Sequence, residues 1–82
     1  MQAHADPNPF PSAQGCNIVV QGGTPPYTYE PAPSPPNPSG VYVDSAGHLS
    51  VPPGTPPDTT VSVIVYDSSK PPQSVQVTTQ TA

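Results

Sequence analysis

The pattern of apolar and polar positions is clearest at residues 59–67, which contain no proline or glycine and are rich in β-branched side chains. Val61, Val63 and Val65 recur at a spacing of two, which is the period of a strand with one buried face. A helix would need apolar residues three and four apart, and a run of β-branched residues disfavours it. Because the opposite face also carries apolar and aromatic side chains, we predict a central strand that is partly covered on both sides.

Six further segments have the character of short strands. Phe10 stands between two prolines and is expected to form an edge segment, because proline cannot donate to a central ladder. The other predicted strands are residues 16–21, 26–30, 41–43, 48–51 and 73–81. Residues 1–9 are polar and contain two prolines, so we expect a flexible leader there, followed by a single domain over residues 10–82.

Turn residues separate these segments. Asp44-Ser45-Ala46-Gly47 has aspartate first and glycine fourth, which is typical of a type I turn with a bulge that needs positive φ at the glycine. Proline-rich stretches at residues 31–40 and 52–57 are expected to form stiff loops. Seven short strands with no helical pattern predict an all-β fold, an immunoglobulin-like β-sandwich of about seven short antiparallel strands.

Composition narrows the possible partners. Proline and glycine number 16 and 6 of 82 residues, a proportion at which disorder must be considered. The net charge is only −4 and the prolines are segregated from the β-branched segments, which favours a folded domain. With a single lysine and no arginine, the chain lacks the clustered cations that bind nucleic acid or anionic membranes. We expect no nucleic-acid partner, no membrane insertion and a monomer.

The N-terminus has neither the cationic start nor the apolar stretch of a signal peptide. No apolar run approaches the length of a membrane span. We expect the sequence to be a piece of a longer protein.

Few side chains suggest chemistry. His4 and His48 are too few and too far apart in sequence to suggest a metal or acid–base pair, and each is expected to be solvated. Cys16 would need a nearby base and a lowered pKa to act as a nucleophile. Its place at the head of an apolar strand instead predicts a small core residue. We therefore predict no catalytic residues, no cofactor site and no metal site.

Two patterns suggest binding. The segments 33–36 and 35–38 match the PxxP spacing of proline-rich ligands, but the flanking cation of such ligands is missing, so a stiff loop is the preferred interpretation. Aromatic side chains can stack on sugar rings, and an exposed pair would favour carbohydrate binding. We expect core and edge positions for all four tyrosines, Tyr27, Tyr29, Tyr42 and Tyr66.

Four segments match a known family in order: Gly22-Gly23-Thr24-Pro25-Pro26-Tyr27-Thr28-Tyr29, Ser45-Ala46-Gly47-His48-Leu49-Ser50, Gly54-Thr55-Pro56 and Val63-Ile64-Val65-Tyr66-Asp67-Ser68-Ser69. Over residues 22–69 the chain resembles the bacterial immunoglobulin-like repeat domains, which include cadherin-like domains. The family's loop after the second tyrosine usually contains Leu-Pro-Pro-Gly, which is replaced here by a longer proline-rich stretch.

The resemblance implies a non-catalytic module of a bacterial extracellular or cell-surface protein, a structural spacer or an adhesion repeat. Its partners would be neighbouring domains of a larger chain, and a cell-surface protein or glycan. Some cadherin-like modules bind calcium, but Asp44 and Asp67 each stand alone, whereas calcium needs six to eight oxygens. Both are better explained as turn formers that accept from N–H groups two residues on. The alternatives are a carbohydrate-binding accessory module that uses exposed tyrosines, and a fragment of an enzyme.

Overall fold

The computed structural model describes residues 1–33, 37 and 39–82. These residues form seven strands and no helix, in two sheets whose neighbouring strands are all antiparallel. One sheet has the order β1-β2-β5-β4 and the other β3-β6-β7. The all-β class is confirmed, and the two sheets are consistent with a β-sandwich. The strands are β1 (Gln2–Asp6), β2 (Cys16–Gln21), β3 (Thr28–Pro31), β4 (Tyr42–Val43), β5 (His48–Ser50), β6 (Thr60–Tyr66) and β7 (Ser74–Gln80).

Strand β6 is the centre of the smaller sheet. It pairs with β7 along all seven of its residues and with β3 over four. Val61, Val63 and Val65 are 0%, 1% and 0% exposed. Each buried valine contributes roughly 1.5–3 kcal/mol relative to an exposed one. On the opposite face Ser62 is buried and Ile64 is half-buried, so the predicted central strand with cover on both sides is confirmed.

A side chain extends the hydrogen bonding of β6 beyond the end of β3. Strand β3 lies at the edge of its sheet and ends at Pro31, after which the N–H of Ala32 donates to the carbonyl oxygen of Ser62 at 2.9 Å. The amide of Asn37 then binds both main-chain groups of Ser62. Its Nδ2 donates to the carbonyl oxygen at 2.9 Å, and its Oδ1 accepts from the N–H at 2.7 Å. Asn37 thus takes the place of a paired strand residue.

The core lies between the sheets and joins all the longer strands. Its largest fully buried side chains include Phe10 and Leu49 as well as the three valines of β6. Phe10 forms a parallel bridge to Thr81, donating from its N–H to the carbonyl oxygen of Gln80 at 3.0 Å and accepting from the N–H of Ala82 at 2.8 Å. Phe10 therefore holds its segment against the end of β7, at the edge of the smaller sheet.

The prediction of a flexible leader at residues 1–9 is wrong for most of that segment. Gln2–Asp6 form β1, which pairs with β2 over five residues, from Gln2 with Gln21 to Asp6 with Asn17. Ala3 and Ala5 face the core, and Ala5 is 6% exposed. Alanine is depleted in strands, so two inward alanines gave no visible strand pattern. The predicted strand near Phe10 is in the structure only an isolated bridge.

The predicted turn at residues 44–47 is confirmed. The N–H of Gly47 donates to the carbonyl oxygen of Asp44 at 3.1 Å, and the N–H of Asp44 donates to the carbonyl oxygen of His48 at 3.1 Å. Gly47 has φ +88°, and a Cβ built there would lie 3.0 Å from Cζ of Tyr29. The missing side chain therefore serves two purposes, the left-handed backbone and the close approach of the tyrosine ring.

We expect Val63→Asp to unfold the domain. An unpaired charge in the core costs several kcal/mol, and the whole stability of a small domain is roughly 5–15 kcal/mol. Two-dimensional ¹H–¹⁵N NMR should show collapsed amide dispersion. Thr60→Asp, at an exposed position of the same strand, is the control and should keep the native spectrum. A native spectrum for Val63→Asp would contradict the assigned inner face.

We expect Gly47→Ala to cost more stability than Gly54→Ala. Both glycines have positive φ, +88° and +84°, but a Cβ at Gly54 would have no neighbour within 4 Å. The shared backbone cost is about 1–2 kcal/mol, and displacement of Tyr29 adds about 1–3 kcal/mol at Gly47 alone. Urea unfolding of the two variants measures the difference, and equal losses would show that contact with Tyr29 does not matter.

Candidate functional site

Two loops meet at the end of the sandwich where β1 begins, residues 22–27 after β2 and residues 67–73 after β6. We call them the loop junction. Asp67 lies between them and is 6% exposed. Its Oδ1 accepts from the hydroxyl of Ser69 at 2.5 Å, from the N–H of Gln73 at 2.8 Å and from the N–H of Ser69 at 3.1 Å. Its Oδ2 accepts from the N–H of Thr24 at 3.2 Å.

Further hydrogen bonds fasten the two loops to one another. The N–H of Ser68 donates to the carbonyl oxygen of Thr24 at 2.9 Å. The hydroxyl of Ser68 donates to the carbonyl oxygen of Pro26 at 2.6 Å. The hydroxyl of Tyr27 closes the first loop on the carbonyl oxygen of Gly22 at 2.6 Å. The loop junction is therefore a fixed surface, and residues 22–26 in it are exposed.

The electrostatics of Asp67 follow from these donors. Its pKa is lowered to about 2, chiefly by the hydrogen bond from the Ser69 hydroxyl. Desolvation acts in the opposite direction and raises the pKa, while the N–H groups of Gln73, Ser69 and Thr24 lower it further. Donors aimed at the ionised form stabilise it. The bond from Ser69, two residues on, confirms Asp67 as the predicted turn former. The bond from Thr24 joins residues 43 apart in sequence, which no local pattern could indicate.

Asp44 is also a turn former, as predicted. Its Oδ1 accepts from the N–H groups of Ala46 at 3.0 Å and His48 at 2.8 Å. In the part of the chain that the structure describes, no group of three or more histidine, cysteine, aspartate or glutamate side chains could hold a metal ion. The two aspartates considered for calcium instead bind main-chain N–H groups at separate turns.

The four tyrosines do not form an exposed pair. Tyr42 is 63% exposed, whereas the other three are half-buried. The ring of Tyr29 lies against Gly47, and the hydroxyl of Tyr66 donates to Oε1 of Glu30 at 2.8 Å. That hydrogen bond is the main reason why the pKa of Tyr66 is raised. Tyr27 and Tyr29 pack against the core and Tyr42 projects from edge strand β4, as predicted. Tyr66 instead lies half-buried on central strand β6, outside the core cluster.

The remaining candidates lie on neighbouring strands of the four-stranded sheet, where His48 pairs with Asn17, the residue after Cys16. His4 is exposed on β1, and Nδ1 of His48, on β5, is 3.0 Å from Oδ1 of Asn17. Cys16 is 1% exposed, and burial followed by the charge of Asp6 raises its pKa to about 11. A buried thiol that stays protonated is a poor nucleophile, so Cys16 is the predicted core residue. The two PxxP segments extend outside the described residues.

A shallow groove of about 360 Å³ lies at the opposite end of the sandwich from the loop junction. The turn after β1 forms one wall, and the first residue of β6 with the last residues of β7 form the other. It is lined by Asn8, Pro9, Thr60, Thr78, Thr79 and Gln80. The sequence analysis missed this groove because it assigned Asn8 and Pro9 to a flexible leader.

Comparison with known proteins gave no relative: no family model, no curated protein and no solved structure matches the chain. Within residues 1–33, 37 and 39–82, no helix has the length and apolar character needed to cross a membrane. Among the described residues, the geometry offers two candidate sites, the loop junction and the groove.

We expect Ser69→Ala to raise the pKa of Asp67 from about 2 towards its ordinary value of 3.8, because it removes the strongest donor. A carboxylate with a depressed pKa stabilises the fold above its unfolded pKa, and this contribution is lost as the pH falls towards the folded value. Ser69→Ala should therefore be less stable than the parent at neutral pH, and it should lose less stability than the parent as the pH falls from about 5 to about 2, because its folded pKa lies closer to the unfolded one.

The measurement is an NMR titration of the Asp67 side-chain carbon, together with thermal unfolding from neutral pH to about pH 2. Ser68→Ala is the matched control, since the hydroxyl of Ser68 bonds Pro26 and not Asp67. An equal rise of the Asp67 pKa in both variants would show that the Ser69 hydroxyl has no special part.

Proposed function

We propose that this chain is an immunoglobulin-like module, a non-catalytic structural spacer or adhesion repeat of a bacterial extracellular or cell-surface protein. The observation that carries the proposal is the order of the strands. Immunoglobulin domains of the constant type place strands A-B-E-D in one sheet and C-F-G in the other. Lettered in chain order, the sheets β1-β2-β5-β4 and β3-β6-β7 have that arrangement.

The contacts between the segments that carry the family resemblance support the same proposal. Thr24, in the first segment, bonds Asp67 and Ser68 in the last. Tyr29, also in the first segment, lies against Gly47 in the second. Residues that match the family motif in order thus build one end of the sandwich and its nearest hairpin. Such contacts explain why these residue types would recur together.

A structural role also suits the side chains that were considered for chemistry. Cys16 fills the core, while Asp44 and Asp67 bind the N–H groups of turns. Each is engaged in holding the fold. The extracellular or cell-surface location and the neighbouring domains as partners come from the family resemblance.

The course of the chain favours a spacer over a side branch. Gln2 pairs with Gln21, next to the loop junction, whereas Gln80 pairs with Thr60 at the other end of β6. Successive modules joined through these ends would therefore run in line. The longest dimension of the domain is 39 Å.

The test is a protein of two copies joined through a short linker, measured by small-angle X-ray scattering. We expect its maximum dimension to exceed that of one copy by about the 39 Å length of the domain. Calcium or EDTA should leave the value unchanged, because the two aspartates are occupied at turns. A compact pair that lies side by side, or a length that depends on calcium, would contradict an in-line spacer without metal.

A further inference from the structure

The groove at the start of β6 and the end of β7 contains an asparagine side chain that is oriented by a hydrogen bond. Oδ1 of Asn8 accepts a hydrogen bond from the hydroxyl of Thr79 at 2.7 Å. Thr79 is itself buried, with 4% of its surface exposed. With its oxygen engaged, the Asn8 amide is left with two N–H donors on Nδ2. A preformed donor of this kind lowers the entropy cost of binding a ligand.

Two further side chains offer hydrogen-bonding capacity beside Asn8. Thr60 and Gln80 are a cross-strand pair, both exposed, at the first residue of β6 and the last of β7. Among the described residues neither side chain forms a hydrogen bond. A threonine hydroxyl and a glutamine amide each donate and accept, so the groove presents donors and acceptors side by side.

The charge of the groove limits its ligands. None of its six lining residues is ionisable. An ionic ligand would lose hydration there without meeting an opposite charge, which is unfavourable. A ligand with neighbouring neutral hydroxyl groups, each a donor and an acceptor, suits the set better. The exposed ring of Pro9 adds an apolar surface for the C–H face of such a ligand.

We propose that this groove binds a neutral sugar unit of a glycan, held by the side chains of Asn8, Thr60 and Gln80. The proposal rests on the adhesion role suggested above for its biological setting, and it places the glycan away from the tyrosines. A shallow groove near the small end of the usual 300–1,000 Å³ range binds weakly. We expect affinity in the millimolar range.

The experiment is an NMR titration of the ¹⁵N-labelled chain with glucose, galactose, mannose and N-acetylglucosamine in turn, with glucuronate as the charged comparison. At least one neutral sugar should shift the amide signals of Asn8, Thr60 and Gln80 in a saturable way. Glucuronate should shift them less. The absence of saturable shifts with every neutral sugar, or shifts centred on Tyr42 or Tyr66, would overturn the proposal.

Variants identify the contacts. Gln80→Ala should weaken binding by about 2–10-fold, the usual effect of one lost hydrogen bond. The matched control is Gln21→Ala, an exposed glutamine at the end of β2 in the other sheet, which should bind like the parent. Asn8→Ala should weaken binding further, but it also removes the partner of Thr79. Thr60→Ala should also weaken binding, and it leaves the hydrogen bond between Asn8 and Thr79 in place.

Equal affinity in the parent and in both Gln80→Ala and Thr60→Ala would refute the assigned groove. These outcomes are separate from the scattering experiment, since a groove without sugar binding would leave the in-line arrangement of two copies unchanged.

Discussion

The packing of the three β6 valines is the interaction on which the rest of the structure depends. The chain has few large apolar side chains, and those that reach zero exposure include Phe10 and Leu49 from separate segments. They meet only because β6 presents one continuous apolar face to the other sheet. The prolines outside the strands assist, since a residue with fixed φ loses less conformational entropy on folding.

Side chains bind main-chain groups at two turns and beyond the end of one short strand. Asp67 accepts four hydrogen bonds, Asp44 closes its hairpin, and Asn37 pairs with Ser62 beyond the end of β3. All three act on main-chain groups. This arrangement follows from a composition in which proline removes N–H donors from the loops and short polar residues supply bonding groups instead. Stability is thus spread over turns as well as over the core.

Local patterns in the sequence identified the features whose cause is local. The period of two fixed β6 and β2, and the spacing from Asp44 to Gly47 fixed the hairpin. The sequence failed where the cause is distant or weak. Strand β1 was missed because its inward residues are alanines, and the bond between Asp67 and Thr24 spans 43 positions. The groove depends on Asn8 meeting Thr79, which are 71 positions apart.

The proline at the end of β3 affects how this edge of the sheet can pair with a neighbouring molecule. An edge strand can recruit the strand of a neighbouring molecule through its unpaired main-chain groups. Since Ala32 directs its N–H towards β6, the alternation of the strand turns the main chain of Pro31 outwards, where it has no N–H to donate. If identical modules followed one another in one chain, their local concentration would be high and their edge strands could pair with one another. Pro31 makes this edge a poor template for intermolecular β-sheet, and so guards against misfolding between neighbours.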